Sequence, residues 1–392
     1  MVTFLPSRPG RLADVPSFHR AVGGAESNVV CALAAAGHPV RWVSRVGADG
    51  FGDHLVGTIG GYGVDVSAVR RDPARPTGVY FRTVADRSTD AHEVAYYRAG
   101  SAASTMAVAN TDLTAARAGR VLHLTGITAA LSPDCLALLR ELTAPRPGRP
   151  LVSFDVNFRR GLWQGAEGPR VLLELARRAD IVFVGDDEAR QAWGLHGARA
   201  VLEALPEPGV VVVKQGADGA TLFDRGTDRA QDGAADAADA ADAAGAAPAA
   251  GAAPATGAAD AAGAAGVAVM ADAAVTADAA VTADAAVMAD AAVTVTFARA
   301  PRVDVVAAVG AGDAFAAGFL SATLRGLPAR DRLRHGHLMA AAALTAPGDL
   351  AAPLSRHHAD RLAALDDTAW GRLRLGPGWT QAEEALEEVR TP

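Results

Sequence analysis

The sequence predicts an α/β fold in which helices cover both faces of a mainly parallel sheet, and two patterns indicate it. Short, almost continuous apolar runs are typical of strands that are buried on both faces. They occur at 121–126, 151–157, 181–185 and 210–214. Helical patterns follow most of them, near 132–142, 168–178 and 186–194. Alternating strands and helices form parallel sheets, because each helix carries the chain back before the next strand begins.

The other elements fit around this frame, with one exception. In chain order we expect a helix at 26–37, a strand at 40–47, a short helix within 47–62, and helices at 312–326, 329–345 and 357–366. The exception is the pair 78–84 and 93–98, where polar and apolar residues alternate as in half-exposed antiparallel strands. This pair predicts a small flap outside the parallel sheet.

The composition excludes several classes of protein. The chain has 392 residues, of which 50% are hydrophobic and 21% charged, as is typical of a globular protein. Its net charge of −7 arises in residues 230–298, which hold nine Asp and no Glu, Lys or Arg. The remainder is nearly neutral, so no overall charge favours nucleic acid or an anionic membrane as a partner.

Cysteine use and hydropathy indicate the compartment. Cys31 and Cys135 are the two cysteines, and they form no CxxC or Cys/His cluster, which argues against a disulfide framework or a structural zinc site. No secretory signal and no apolar run long enough for a membrane span are visible. We therefore expect a cytoplasmic protein.

Residues 228–292 form a low-complexity segment rich in Ala and Asp. The segment ends in four hexamers, VMADAA, VTADAA, VTADAA and VMADAA, at 269–292. A six-residue repeat places no apolar stripe on a helix, and alanine is too small to fill the coils of a β-helix. We expect a disordered, solvated insertion, with a transient partner site as the alternative.

The motif VGAGDAFAAGFL at 309–320 is the strongest local signal of function. Its small residues allow a ligand to approach the backbone, and the helix that follows presents free N–H groups to an anion. Asp313 is then either a helix cap or a general base beside a phosphoryl group. Neither GxGxxG nor GxxxxGK(S/T) is present here, which argues against a dinucleotide-binding or Walker-type loop.

Two further motifs place polar groups where ligands bind. In VGGAESN at 22–28, a Gly-Gly turn precedes a helix, and Asn28 either belongs to a capped helix start or contacts a polyol. In FDVNFRRGLW at 154–163, Asp155, Asn157 and Arg159 follow a buried strand, at the edge where open α/β sheets bind ligands. Buried polar groups need partners, which favours a site here.

Two weaker signals complete the set. VVVKQGADGA at 211–220 is a strand followed by Lys-x-Gly-x-x-Gly, a turn that is common by itself. GDDEAR at 185–190 follows another strand, and its acids either begin an ordinary helix or belong to a site.

Together these motifs resemble the ribokinase-like (PfkB-type) sugar kinases over nearly the whole chain outside the insertion and the C-terminal end. VGGAESN resembles the N-terminal signature of that family, and GAGDAFAAGF its C-terminal signature. Within the family, the chain is most similar to the 2-keto-3-deoxygluconate kinases. The residues that carry this similarity are GVYFR at 78–82, YYRAGSAAS at 96–104, LHLTGITAALS at 122–132 and DVNFRRGLW at 155–163.

The resemblance implies an architecture and a reaction. It implies a three-layer α/β/α ribokinase-like fold with a small β-strand lid near 15–24 and 77–98. The kinase domain comprises 1–227 and 293–370, followed by a C-terminal tail at 371–392. The reaction is phosphoryl transfer from ATP, with Mg²⁺, to a sugar hydroxyl.

The resemblance also implies roles for individual residues. Asp313 is expected to be the general base, with Gly310, Ala311 and Gly312 as an anion hole. The sugar is expected to contact Gly24, Asn28, Tyr80, Tyr96, Arg98, Arg159 and Asp313. The nucleotide is expected to contact Asn157, Lys214, Gly216, Gly219, Gly310, Gly312 and His337. Glu188 is expected near Mg²⁺, through water.

Two arginines indicate the acceptor. Arg98 and Arg159 are suited to hold a carboxylate by paired, charge-assisted hydrogen bonds, which a neutral ketose does not need. We therefore expect 2-keto-3-deoxygluconate or a similar keto-deoxy sugar acid. The alternatives are a kinase of a neutral sugar such as fructose or ribose, and a non-catalytic sugar- or nucleotide-binding protein. A nicotinamide-dependent dehydrogenase is disfavoured, because no GxGxxG follows an early strand.

The chain departs from the family pattern at four places. Gly185 stands where relatives carry Asn or Ser, and His337 stands where they often carry Asn. Ala307 replaces an Asp that often helps to bind a monovalent cation, so activation by potassium is not expected. The chain also begins inside a stretch that an apolar strand precedes in relatives, and we hypothesise an upstream start and an absent central strand. A homodimer or higher homo-oligomer through the lid strands is expected, because exposed strand edges invite pairing.

Overall fold

The computed structural model describes residues 1–83, 93–163, 165–226, 293–307, 309–348, 350–351 and 354–381, and the backbone of 261–263 and 267–270. The strands are β1 (Val2–Pro6), β2 (Phe18–Gly23), β3 (Val40–Gly47), β4 (Val69–Asp72), β5 (Val79–Arg82), β6 (Val94–Tyr97), β7 (Val121–Thr125), β8 (Leu151–Asp155), β9 (Ile181–Gly185), β10 (Val210–Lys214), β11 (Ala220–Asp224), β12 (Ala261–Gly263), β13 (Val267–Met270), β14 (Thr294–Ala298), β15 (Arg302–Val303) and β16 (Arg374–Leu375). The helices are α1 (Ala25–Ala35), α2 (Gly50–Gly61), α3 (Leu113–Arg117), α4 (Gly126–Ala129), α5 (Pro133–Thr143), α6 (Gly168–Arg177), α7 (Asp186–Trp193), α8 (Ala198–Ala204), α9 (Ala311–Leu324), α10 (Ala329–Leu344), α11 (Arg356–Ala363) and α12 (Asp367–Arg372).

A nine-stranded sheet forms the middle layer, in the order β14-β11-β10-β9-β8-β7-β13-β3-β4. Strands β7 to β10 run parallel, and so do β3 and β4. Strands β11, β13 and β14 run antiparallel to their neighbours. The predicted α/β fold with a mainly parallel sheet is confirmed.

Two apolar clusters cover the faces of this sheet, because successive residues of a central strand point to opposite sides. In β9, Ile181 and Phe183 pack with the cluster that includes α1 and α9, whereas Val182 and Val184 pack with the cluster that includes α5 and α6. This double burial explains why the apolar runs of the sequence are continuous rather than alternating.

The lid is a second sheet, in the order β12-β2-β1-β5-β6. The predicted flap strands correspond to β5 and β6, which pair antiparallel, and β1 and β2 extend the sheet beyond them. The ring of Phe81 stacks on Phe4 at a centroid distance of 4.7 Å and meets Phe18 edge-on at 5.2 Å. Aromatic packing of this kind joins the strands of the lid into one unit.

The low-complexity segment contributes two strands. β12 pairs parallel with β2 in the lid, and β13 lies between β3 and β7, antiparallel to both. The prediction of disorder does not hold for these two stretches, and the rest of 228–292 lies outside the described residues. The position between β3 and β7, third from the β4 edge of the sheet, is thus occupied by a strand from the insertion.

The C-terminal end packs on the rest of the described fold as far as it is described itself. β16 pairs with β15, and Leu375 is buried in a cluster with Trp370. The predicted tail therefore begins inside a packed region, and its residues 382–392 lie outside the described ones. The helices of the described part of the chain include four that were not predicted (α3, α4, α8 and α12), and the others begin and end within a few residues of their predicted bounds. None of them is both long and apolar enough to cross a membrane.

Candidate active site

The candidate site lies where the carboxyl ends of β8, β9 and β10 meet the N-terminal ends of α1 and α9. Parallel strands end at the same edge of the sheet, which brings the residues that follow them together. Asp155 ends β8, Glu188 lies in the first turn after β9, and Lys214 ends β10. The three predicted motifs that contain these residues therefore converge on one place.

Asp313, in the first turn of α9, is held by two amides. Asn28 Nδ2 donates a hydrogen bond of 2.8 Å to Oδ2 of Asp313, and Asn157 Nδ2 donates one of 3.5 Å to Oδ1. Burial raises the pKa of Asp313, and the Asn28 hydrogen bond and the charges of Lys214 and Arg159 oppose this rise. The structure thus joins the N-terminal motif, the 154–163 motif and the 309–320 motif at one carboxylate.

Asn157 adopts an unusual backbone conformation to reach this carboxylate. Its φ is 42°, and among the described residues other than glycine it alone has a positive φ. Asn is among the residues that tolerate this left-handed region. The side chain is buried, with 6% of its surface exposed, and its Oδ1 has no hydrogen-bond partner in the described structure.

The start of α9 fits an anion. Gly310 precedes the helix with φ 81°, and no side chain caps the first amides. A Cβ added to Gly312 would lie 3.4 Å from Nζ of Lys214, so the ammonium lies directly beside this turn. Free amides at a helix N-terminus with an adjacent cation form a site that suits a phosphate group.

Lys214 forms an ion pair with Asp155, across the intervening strand β9. Its Nζ lies 2.8 Å from Oδ2 and 3.1 Å from Oδ1 of Asp155. Burial raises the pKa of Asp155 to about 6, although Lys214 acts in the opposite direction. Burial also disfavours the charge of Lys214, but Asp155 and Glu188 outweigh it and raise the pKa of the ammonium.

Arg159 and Glu188 are also paired, at 2.9 Å between Nη1 and Oε1. The second oxygen of Glu188 accepts a hydrogen bond of 3.0 Å from the backbone N–H of Gly185, where α7 begins. The side chain of Arg159 is 55% exposed, whereas that of Glu188 is 17% exposed. The predicted sugar-binding arginine therefore lies on the open side of the site, and the predicted metal-side acid lies on its inner side.

The predicted lid residues form a separate group. The rings of Tyr80 and Tyr96 lie 5.3 Å apart, and Cζ of Arg98 lies 4.3 Å from the centroid of the Tyr96 ring. Such a cation–π contact orients a guanidinium without neutralising its charge. Among the described residues, Arg98 forms no ion pair with a carboxylate, and burial lowers its pKa.

The predicted nucleotide-side loop lies between β10 and β11. Gly216 has φ 59°, and a Cβ on Gly219 would lie 2.2 Å from the carbonyl oxygen of Ala298, so the tight turn requires glycine at both places. His337 is buried behind this turn, where its Nε2 forms a hydrogen bond of 3.0 Å with the same carbonyl. Burial lowers the pKa of His337 to about 4. Its ring supports the turn from within, and its contact with a nucleotide stays a prediction.

The acids of the site fit a metal ion that is held mainly by its substrate. The described residues contain no cluster of three or more metal-binding side chains. Mg²⁺ is usually bound through one or two carboxylates, water and substrate phosphates, rather than in an all-protein cage. Because both oxygens of Glu188 already accept hydrogen bonds, a contact through water fits this geometry better than direct coordination.

Two buried acids of the site received no role from the sequence. Asp155 was predicted to need a partner, and the partner is Lys214. Glu26 is fully buried, and its Oε1 accepts hydrogen bonds from the hydroxyls of Thr125, at 2.8 Å, and Thr128, at 2.6 Å. Burial raises the pKa of Glu26 to about 7. The signal available for Glu26 was an acid in the first turn of a mostly apolar helix, directly after the Gly-Gly pair of the N-terminal motif.

Comparisons with known proteins identify the family of the chain. The model of the pfkB family carbohydrate kinases matches residues 2–284 and 281–355. The 2-dehydro-3-deoxygluconokinase of Bacillus subtilis is 28% identical over 356 residues, 89% of each chain. That of Thermoproteus tenax is 33% identical over 219 residues, 55% of this chain and 66% of that protein.

Fructokinases and a solved structure are also similar to this chain. Fructokinases also match, among them the probable fructokinase-4 of Arabidopsis thaliana, which is 30% identical over 190 residues, 48% of this chain and 58% of that protein. The crystal structure of a PfkB protein from Polaromonas sp. JS666 superposes with a TM-score of 0.65 at 28% identity, over 93% of this chain and 97% of that one. The superposition shows that the PfkB protein from Polaromonas shares its fold with this chain.

Proposed function

Because the chain belongs to the pfkB family of carbohydrate kinases and is an ATP-dependent sugar kinase, we propose that its acceptor is 2-keto-3-deoxygluconate or a similar keto-deoxy sugar acid. The observation that carries this proposal is the charge of Arg98. It lies on the lid, stacked on Tyr96, and has no carboxylate partner among the described residues. An anionic acceptor supplies the missing counter-charge, and a neutral sugar does not.

The roles of the other residues follow from the contacts at Asp313. Its carboxylate accepts the proton of the attacking hydroxyl, and the amides of Asn28 and Asn157 orient it. The N–H groups at the start of α9 and the Lys214 ammonium stabilise the oxygens of the transferred phosphoryl group. ATP with Mg²⁺ supplies that phosphoryl group and neutralises part of its charge when bound, on the side of Glu188, Gly216 and Gly219.

The named relatives support a sugar acid as the acceptor. Two of them are 2-dehydro-3-deoxygluconokinases, and 2-dehydro-3-deoxygluconate is another name for the proposed acceptor. The fructokinases match a shorter part of the chain. A neutral sugar such as fructose remains the second candidate, and it would leave Arg98 without a counter-charge from the described residues.

The test is a coupled assay of ADP release with Mg-ATP and, in parallel, 2-keto-3-deoxygluconate, fructose and ribose. We expect turnover with the keto-deoxy acid and its loss in Asp313→Ala. Arg98→Gln is expected to raise the KM for the keto-deoxy acid by roughly 10- to 100-fold, the usual worth of a charge-assisted hydrogen bond, and to leave any residual rate with fructose unchanged. Turnover with a neutral sugar alone would refute the carboxylate-binding role of Arg98.

We also propose that the lid edge at β6 pairs with a second copy of the chain. β6 is the last strand of the lid sheet, and Tyr96 and Tyr97 are 52% and 66% exposed. Exposed edge strands with large apolar side chains favour pairing. Light scattering coupled to size exclusion should give the mass of a dimer or larger oligomer, and a monomer at micromolar concentration would refute this.

A further inference from the structure

The ion pair between Lys214 and Asp155 lies at the centre of the site. Only 1% of the Asp155 side chain and 17% of the Lys214 side chain are exposed. Both oxygens of Asp155 are within hydrogen-bond distance of the Lys214 ammonium, so the carboxylate fixes the position of Nζ. Such burial of two charges is costly, and a buried pair is more easily understood as a functional device than as a source of stability.

The charges around Lys214 indicate a function for the Asp155 carboxylate. The ammonium also experiences the charges of Glu188 and Asp313, which compete with Asp155 as partners. If Lys214 paired with Asp313, it would neutralise the carboxylate that must accept a proton. In the structure the ammonium is instead held beside Gly312, at the first amides of α9.

We propose that Asp155 is a positioning residue for phosphoryl transfer. It holds the Lys214 ammonium against the start of α9, where the transferred phosphoryl group binds, and keeps it from pairing with Asp313. The proposal rests on the proposed roles of Asp313 and of the α9 amides, and it adds a residue that neither includes. The pair itself exchanges no proton: the hydroxyl proton passes to Asp313, the phosphoryl group passes from ATP to the hydroxyl oxygen, and ADP leaves.

The first experiment is a double-mutant cycle on kcat with Asp155→Asn, Lys214→Met and the two combined. The residues that orient metal ligands typically contribute 10- to 100-fold. By analogy we expect Asp155→Asn to lower kcat by about that factor, with the KM for the sugar changed by less than about 3-fold. Since Asp155 acts through Lys214, the combined variant should have the same kcat as Lys214→Met alone. If the kcat losses of the two single variants multiply in the combined variant, the two residues act independently and the proposal is overturned.

A matched control separates positioning from stability. Arg149 and Asp180 form another buried pair, with side chains 14% and 13% exposed, away from the site. Asp180→Asn should lower the melting temperature and leave kcat unchanged. If Asp155→Asn lowers only the melting temperature, as Asp180→Asn does, Asp155 has a structural role and the proposal fails.

Folding of the variants is part of the design. If Asp155→Asn does not fold, the combined variant, which buries no uncompensated charge, replaces it. Its kcat should then equal that of Lys214→Met, and a lower value would contradict the proposal. If neither variant folds, the pair is needed for the fold itself and the proposal is refuted.

A sugar-free measurement keeps this proposal distinct from the proposed acceptor. Calorimetric titration with Mg-ATP and Mg-ADP needs no acceptor. We expect the wild type to bind Mg-ATP more tightly than Mg-ADP, and both single variants to lose most of that preference, because Lys214 contacts the terminal phosphoryl group. A preference that persists in both variants overturns the positioning role. If only fructose is turned over, the kcat cycle is done with fructose, and the acceptor proposal alone fails.

Discussion

The N-terminal ends of α1 and α9 share their construction and differ in their chemistry. Each helix begins after a glycine with positive φ, 146° at Gly24 and 81° at Gly310, and neither has a side-chain cap. Each carries an acid in its first turn, Glu26 in α1 and Asp313 in α9, and the two helices pack against each other. Two nearly equivalent local sequences thus place two carboxyl groups in the same region of the protein.

The partners of the two acids set them apart. Asp313 is held by the amides of Asn28 and Asn157. Burial raises its pKa, whereas the Asn28 hydrogen bond and the Lys214 ammonium favour its charged form. Glu26 is fully buried, and its partners are the hydroxyls of Thr125 and Thr128. A pattern of glycine followed by an acid therefore does not define a base, because its role depends on what the rest of the fold brings to it.

The largest expected effect is on turnover, and it should fall on one acid of the pair. Asp313→Asn keeps the shape and removes the base, and we expect kcat to fall by about 10²- to 10⁴-fold. Glu26→Gln should change kcat by less than about 3-fold, because Glu26 touches no reacting atom. Steady-state kinetics on both folded variants test this, and equal losses would erase the distinction between the two helix ends.

The next largest effect is on the pH dependence of the free energy of unfolding, and it should arise from Glu26. The pKa of Glu26 is raised by burial from 4.5 to about 7. Between these values the folded protein binds more protons than the unfolded chain, so this group's contribution to stability falls as pH rises through the window. A shift of this size corresponds to about 3 kcal/mol.

Glu26→Gln removes that titration and gives the measurement. From pH 5 to pH 8, the free energy of unfolding of the variant should rise relative to the wild type by about 3 kcal/mol. Urea unfolding at the two pH values measures the difference, in which the other titrating groups cancel. A difference that is independent of pH would mean that Glu26 is charged throughout.

A smaller effect connects the two helices. Asn28, on α1, donates to Asp313, and this hydrogen bond lowers the pKa of the carboxyl. Asn28→Ala should therefore raise that pKa further and move the acidic limb of the pH–kcat profile to higher pH. An unmoved acidic limb, in a variant whose KM for the sugar responds, would mean that Asn28 serves only the substrate.

The smallest expected effect tests the glycines. Gly310→Ala forces a side chain into the left-handed region and should cost about 1 kcal/mol of stability. Gly194, which ends α7 with φ 67° and has open space around it, is the matched control. Gly194→Ala should cost a similar amount and leave kcat unchanged, whereas Gly310→Ala should also lower kcat. Equal kcat in both variants would remove Gly310 from the anion-binding turn.

The sequence predicted those strands and helices whose pattern lies within their own residues. The nearly continuous apolar runs correspond to β7 to β10, because strands buried on both faces leave few positions exposed to water. The start of α9 was predicted within one residue by its glycines and Asp313. β13 was not predicted, because four residues within an Ala-rich segment carry no sign of the distant strands β3 and β7 with which they pair.

Individual residues of the site were predicted from the sequence, whereas the ion pairs between them were not. Motif order and resemblance indicated Asn28, Asn157 and Asp313, which the structure brings into contact. The pairs Asp155–Lys214 and Arg159–Glu188 could not be derived, because each joins residues on different elements. Perturbed pKa values depend on burial, which exists only after folding, so the different roles of Glu26 and Asp313 were not visible in their neighbouring residues.

The positive φ of Asn157 has a consequence for engineering the acceptor preference. In a library that randomises position 157, most variants are destabilised by backbone strain whatever their side chain does in the site. A residue other than Gly, Asn or Asp is strained by about 1–3 kcal/mol in the left-handed region. Most members of such a library would lose expression or folding rather than change acceptor. Directed evolution of this enzyme would gain more from Tyr96 and Arg159, whose side chains are largely exposed and whose backbones impose no such filter.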